Sequence, residues 1–389
     1  MKKLIVLATL SLVGSAHAEK WNASNNPVYF NNQMSIPMKF SLSQLPLQAK
    51  LHDERLGWSD SYWPSNKGGI AFRWNSPNPQ PFKYKMKKKE ELLRMSEAEM
   101  AELSPAELYD ISQGDYKYSL TKKVLGIYSE RDLWWEGICH GWALAAANYP
   151  EPEQVSLTNK DGIRVNFGSS DVKGLLAMHD AFNSKGLYTR VGARCGAYGK
   201  VEGEAFPEDG IMPVPGAKEA NSPECKDVNA GAFHLVISNM IGINSTGFVA
   251  DVDRFNDVWN QPVVGYESKI VGNMPLNGSD VQAGVSRKVR VQTKMFYGDE
   301  LEFYSEEAAK EGVIGFVSKE PVTRTPMQTT SSKDYDYVLE LNSMGDVIGG
   351  EWISESRPDM LWMKRKDAAF RNGRFPLAGL NQIYSPVRK

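Results

Sequence analysis

From residue 86 onward the apolar positions of the chain follow two different periods. The stretch KMKKKEELLRMSEAEMAELSPAELYDI (86–112) has helical spacing interrupted near Ser104-Pro105. It predicts two short helices, the second with Ser104 as N-cap, Pro105 as its first residue and Glu107 in the capping-box position. Residues 138–148 predict an alanine-rich helix carrying Cys139, and Ser170 followed by DVKGLLAMHDAFN predicts another capped helix with Leu175, Leu176 and Met178 towards the core. Beyond residue 230 the period shortens. FHLVISNMI (233–241) and GFVADVDRF (247–255) alternate about a turn at Asn244-Ser245-Thr246, which predicts an antiparallel hairpin. Further β-like runs follow at 286–298 and 335–353. Helices first and an antiparallel sheet afterwards imply an α+β fold. Residues 19–85, rich in Asn, Ser, Pro and aromatics, read as an irregular wrapping arm. The expected division is an N-terminal extension over 19–100, open to removal as a pro-segment, and one main domain over 101–389.

The first 18 residues, MKKLIVLATLSLVGSAHA, combine two lysines, an apolar stretch and an Ala-His-Ala cleavage site. This is the pattern of a secretory signal peptide cut after Ala18, too short to span a membrane. No other long apolar run follows, so a periplasmic or secreted product without a membrane span is expected. Charge is nearly balanced, with 45 Lys and Arg against 47 Asp and Glu. No basic tract carries interleaved aromatics, which argues against nucleic-acid binding.

The three cysteines, Cys139, Cys195 and Cys225, sharpen the reading. An odd number in an exported chain leaves one thiol unpaired within the molecule. Cys195 and Cys225 flank a Gly-, Pro- and Ala-rich segment with little periodicity. A disulfide closing that loop of about 30 residues stabilises by roughly 3–4 kcal/mol in the chain-entropy model. Cys139 is then the free thiol. At the first turn of a helix, backbone N–H groups and the dipole favour thiolate and contribute to an oxyanion hole. Gly137 and Gly141 beside it are expected to admit a substrate backbone.

A thiol nucleophile calls for a histidine. His140 adjoins it but points to another helix face, His179 sits on a helix among acidic neighbours, and His52 lies in the irregular arm. His234, opening a predicted strand after the cysteine, follows the order of papain-like enzymes, which transglutaminases share. A hairpin turning at 244–245 would set Asp253 diagonal to His234 on the same face, with Asp251 on that face but farther away. Asp253 is therefore the expected third member and Asp251 the alternative. The Asp spacing lacks the glycine and distal glutamate of an EF-hand loop, so it makes only a weak calcium motif.

VWNQPVVGYES (258–268) resembles the hallmark peptide of the transglutaminase elicitor family of oomycetes, which has relatives in marine bacteria. LSPAELYDI (103–111), GICHGWALAA (137–146), AFHLVISNMIG (232–242) and VIGGEWISESRPDMLW (347–362) are similar in the same order. The resemblance spans roughly residues 100–365. It implies a papain-like, transglutaminase-like core and a secreted protein-glutamine γ-glutamyltransferase with a Cys-His-Asp site, commonly stimulated by Ca²⁺. Carried over, Cys139 matches the motif's cysteine and His234 the strand histidine, while no single aspartate is singled out. Trp134 and Trp135 would wall the acyl site, and Trp259 would shield the His–Asp pair. The expected partners are proteins bearing glutamine and lysine or other primary amines. The same residues would also suit a cysteine peptidase or amidase, or a binding protein without catalysis.

Overall fold

Local capping chemistry organises the helical half of the protein, and register organises the rest. The computed structural model describes residues 25–52, 57–73, 76, 80–193, 227–252, 258–276, 283–300 and 330–384. In the N-terminal segment a short strand, β1 (Gln48–Lys50), is followed by 3₁₀ turns. Helices α1 (Lys89–Leu92), α2 (Glu97–Ala101) and α3 (Pro105–Ser112) come next, three helices where two were expected. Ser96 and Ser104 each cap the N–H three residues on while Glu99 and Glu107 reach back, completing two capping boxes. Helices α4 (Ser119–Leu125) and α5 (Cys139–Asn148) follow, then the hairpin β2 (Val155–Thr158) and β3 (Arg164–Phe167). Helix α6 (Ser169–Phe182) is capped at Gly168 rather than Ser170; Asp171 accepts from the Gly168 N–H, and the Ser170 hydroxyl turns instead to Asp60.

Strand β4 (Tyr188–Gly192) leads to helix α7 (Ala230–Ile237), which runs on as a π-helical turn over Ser238–Ile243. The expected strand at 233–241 is thus a helix. Asn229 caps it, its Oδ1 accepting from the N–H groups of Gly231 and Ala232. Every residue of α7 is buried, so its apolar positions carry no one-sided helical stripe and pass for alternation. Strands β5 (Phe248–Asp251), β6 (Asn260–Met274), β7 (Arg287–Gly298), β8 (Thr330–Leu341), β9 (Val347–Trp352) and β10 (Met360–Lys364) and helix α8 (Leu380–Ile383) complete the described elements. The antiparallel sheet runs β4-β10-β5-β6-β7-β8-β9, with β1 added to β6. This is the α+β architecture the element order implies.

The two faces of this sheet carry different helices. Asp251 pairs with Asn260, and Val249 with Pro262 and Trp362, so those five side chains share the face on which α5 packs. Phe248, Val263 and Tyr297 pair in turn on the other face, which alternation extends to Thr293, Tyr335 and Tyr337. Helix α7 lies there, with Phe233 packed on Tyr335, Tyr337 and Trp352. Its N-terminus rests directly on β9, where a Cβ at Gly231 would come within 2.3 Å of the Gly349 oxygen.

The described part of the N-terminal arm is built into the same core. Trp58, Trp63 and Ile70 are buried in it, and the Trp58 indole donates to the Tyr149 carbonyl. Arg73 pairs with Glu107 at 2.6 Å, both buried. Lys173 donates to the Ser59 carbonyl and pairs with Glu151. No helix among the described residues is long and apolar enough to cross a membrane. The proposed signal peptide and the Cys195–Cys225 disulfide lie outside the described residues.

Asp60, within this arm, is a fully buried carboxyl whose burial pushes its pKa up to about 7, with Lys173 opposing. In the unfolded chain it returns to about 4. Between those values the folded protein holds a proton that the unfolded chain releases. The contribution of Asp60 to stability is therefore full below about pH 4 and lost as pH rises to about 7. Urea unfolding midpoints across that window are expected to fall more steeply in the wild type than in Asp60→Asn; parallel slopes would refute the assignment.

Candidate active site

Cys139 is the first residue of α5 and a free thiol, only 6% exposed. Three backbone and side-chain contacts tie the turn before it to the N-terminal arm. The Ile138 N–H donates to the Tyr62 carbonyl at 2.7 Å, the Ser65 N–H to the Glu136 carbonyl, and the Tyr62 hydroxyl to the Trp134 carbonyl. Gly137 is required here because a Cβ would fall 2.4 Å from the Tyr62 oxygen, and Gly141 because one would fall 2.2 Å from the Ala177 oxygen of α6. The glycines expected to admit a substrate backbone admit the protein's own.

From the sheet side, the thiol meets the start of β6. Its S–H donates to the Val258 carbonyl, Sγ to oxygen 3.6 Å, and the Asn260 Nδ2 approaches Sγ at 3.8 Å. The Asn260 Oδ1 in turn accepts from the Trp362 indole at 2.8 Å. Asp251, directly across the ladder from Asn260, accepts the Trp259 N–H at 3.2 Å. Gln261 donates to Glu300 at 2.7 Å. Between Val258 and Asn260 in the chain, Trp259 packs edge-on against Tyr62 at 5.8 Å between ring centres and tilted against Trp134 at 6.0 Å. Trp134 is 63% exposed and Trp135 half-buried. Trp134 and Trp259 are thus ring neighbours, joined by Tyr62, which no sequence signal marked.

Electrostatics keep the resting sulfur neutral. Burial pushes the Cys139 thiol up to about 12; hydrogen bonds from Asn260 oppose this, and the nearby Glu300 and Asp251 carboxyls add to it. The expected lowering by the helix terminus is outweighed by desolvation. Glu300 itself is raised by burial to about 8.

His234 does not join this group. It sits on α7, on the opposite face of the sheet from Asn260 and α5, where Nδ1 and the Tyr337 hydroxyl are 2.7 Å apart. Burial lowers its imidazole to about 4. Among the described residues the ring neighbours of Trp259 are Tyr62 and Trp134, and His234 is not one of them. Asp253 lies outside the described residues, while the alternative, Asp251, is on the Cys139 face. The remaining histidines are accounted for elsewhere. His140 packs on Phe182, His179 bonds Asp180 and packs on Phe370, and His52 is exposed. Among the described residues no group of three or more His, Cys, Asp or Glu side chains is placed to hold a metal ion. The residue that composition and spacing missed is Asn260. Its sequence signal was the WNQP stretch itself, legible as a motif but not as a neighbour of the thiol.

A free cysteine opening a helix that packs on one face of an antiparallel sheet is the centre of this α+β fold. The structure is similar to the crystal structure of the GP42 transglutaminase from Phytophthora sojae, with a TM-score of 0.60 and 19% sequence identity over 94% of this chain and 98% of that one. The family model for the transglutaminase elicitor matches residues 133–372, and the chain belongs to that family. No curated protein sequence matches it significantly.

With the thiol protonated at rest, alkylation of native Cys139 by iodoacetamide should speed up about tenfold per pH unit between pH 7 and 10. It should stay well below the rate for the same cysteine in urea. A rate that levels off near pH 8 in the native protein, read by mass spectrometry, would overturn the assignment.

Proposed function

We propose that the chain is an exported protein-glutamine γ-glutamyltransferase that forms Gln–Lys isopeptide bonds through a Cys139 thioester. The observation that carries this reading is the contact between Cys139 and Asn260, which joins two motifs shared with the family, GICHG and WNQP, at one sulfur. Sγ attacks the carboxamide carbon of a substrate glutamine. The Sγ–C bond forms, the C–N bond breaks, and ammonia leaves with the thiol proton. A lysine amine then attacks the thioester carbon, the C–S bond breaks, and the amine proton returns to sulfur. Asp251 is the proton carrier in both steps; its support is the ladder pairing with Asn260 and the influence of its charge on the thiol. His234 serves the core through Tyr337 rather than the sulfur.

The rim of Tyr62, Trp134 and Trp259 supports the second step, because water in place of amine would turn transfer into deamidation. The reading takes proteins presenting Gln and Lys as substrates, with the exposed Trp134 at the edge of the site. Calcium is the family's common stimulant. The described residues do not fit a calcium site, and no step is routed through the ion.

Incubation with a glutamine-rich protein and a fluorescent primary amine, with calcium and with chelator, tests the reading. Labelling is expected from the wild type and none from Cys139→Ala. Asp251→Asn should lose about 10²- to 10⁴-fold, the range for a lost general acid–base. His234→Gln should change the rate less than tenfold. Substrate cleaved or deamidated without labelling would replace the reading with a peptidase or amidase. Substrate untouched by every variant would leave a binding protein.

A further inference from the structure

We propose that the side-chain amide of Asn260 is the oxyanion donor of this site and that Trp362 is the residue that positions it. The inference deepens the thiol acyl-transfer reading above and rests on it.

Asn260 is 2% exposed and opens β6. Its amide has one acceptor end and one donor end, and which end faces the sulfur is normally ambiguous. Here Trp362 decides. An indole N–H only donates, so the oxygen must face Trp362, at 2.8 Å, and the NH₂ must face Sγ, at 3.8 Å. Trp362 is itself buried on β10, and its register partner Val249 also pairs with Pro262, two residues beyond Asn260 on the same face. Donor, indole and sulfur are thus held by three different elements of a rigid sheet–helix junction.

The chemistry needs such a donor at this place. When Sγ adds to a carbonyl carbon, the C=O π pair moves to oxygen and creates an oxyanion one bond away from the new C–S link. A donor that stands just beyond van der Waals contact with Sγ before reaction is within reach of that oxygen, for which about 2.7–3.1 Å is productive. The other side chains with electrostatic influence on the sulfur, Asp251 and Glu300, are carboxyls that resist negative charge there. Asn260 is the neutral donor among them. The N–H groups of the first turn of α5 supply the complementary side of the hole. Collapse of the oxyanion restores the carbonyl and expels the leaving group.

The test separates oxyanion stabilisation from thiol reactivity. Acylation of the full chain by a p-nitrophenyl ester of a glutamate γ-carboxyl passes through an oxyanion and releases p-nitrophenolate. Alkylation of Cys139 by iodoacetamide passes through none. Asn260→Ala is expected to slow single-turnover acylation about 10²- to 10³-fold while alkylation, which loses only the Asn260 hydrogen bond to the sulfur, slows less than tenfold. Trp362→Phe, which keeps the ring and loses the N–H, should slow acylation about tenfold, with alkylation unchanged. Acylation within threefold of wild type in Asn260→Ala would overturn the proposal. So would a parallel fall in both reactions, which would make Asn260 a support of the thiol or the fold. Wild type that acylates at Cys139 but incorporates no amine would defeat the transferase reading and leave the Asn260 assignment to stand on the variants. Wild type that does not acylate at Cys139 would defeat both.

Discussion

Two places where backbone meets backbone with no side chain between them hold the thiol where it is. The Ala177 oxygen of α6 occupies space that a side chain on Gly141 would need, and the Tyr62 oxygen does the same at Gly137. Helix α5 is therefore clamped on one flank by α6 and at its first turn by the N-terminal arm. Neither contact tolerates a Cβ without a shift of backbone. The sheet then brings Asn260 to the sulfur through a register set far along the chain. The arm from Trp58 to Arg73 is a structural partner of the cysteine motif, locked by Trp58, Asp60 and the Arg73–Glu107 pair.

Local signals in the sequence were read well where the physics is local. The Ser104–Glu107 capping box, the helix starting at Cys139 and the long strands over 286–298 and 335–353 depend on neighbours within a few residues, and all are present. The failure at 233–241 has a definite cause. A helix buried on every side has no polar face, so Phe233, Leu235 and Ile237 looked like one face of a strand, and the Asn229 cap went unread. The false hairpin then carried the expectation for His234 with it. Asn260 was invisible for the opposite reason. Its distance of 121 residues from Cys139 is bridged only by sheet register and helix packing, which no local pattern encodes. The glycine pair in GGEW, likewise, makes sense only once α7 is seen resting on β9.

The site is arranged around a carbonyl more than around a thiolate. Nearby carboxyls and loss of water disfavour charge on sulfur, while the amide of Asn260 is oriented by Trp362 with its donor end towards Sγ, as the proposed oxyanion role requires.

A buried, protonated sulfur also has a longer working life. Thiolates, and not thiols, react with peroxides and exchange with disulfides. With burial pushing its pKa up, Cys139 is held as the thiol at neutral pH. An accessible low-pKa cysteine is readily converted to sulfenic acid or a mixed disulfide, and a buried, protonated one is protected on both counts. The contacts that seat the helix terminus under the arm thus also limit how readily oxidants reach the sulfur.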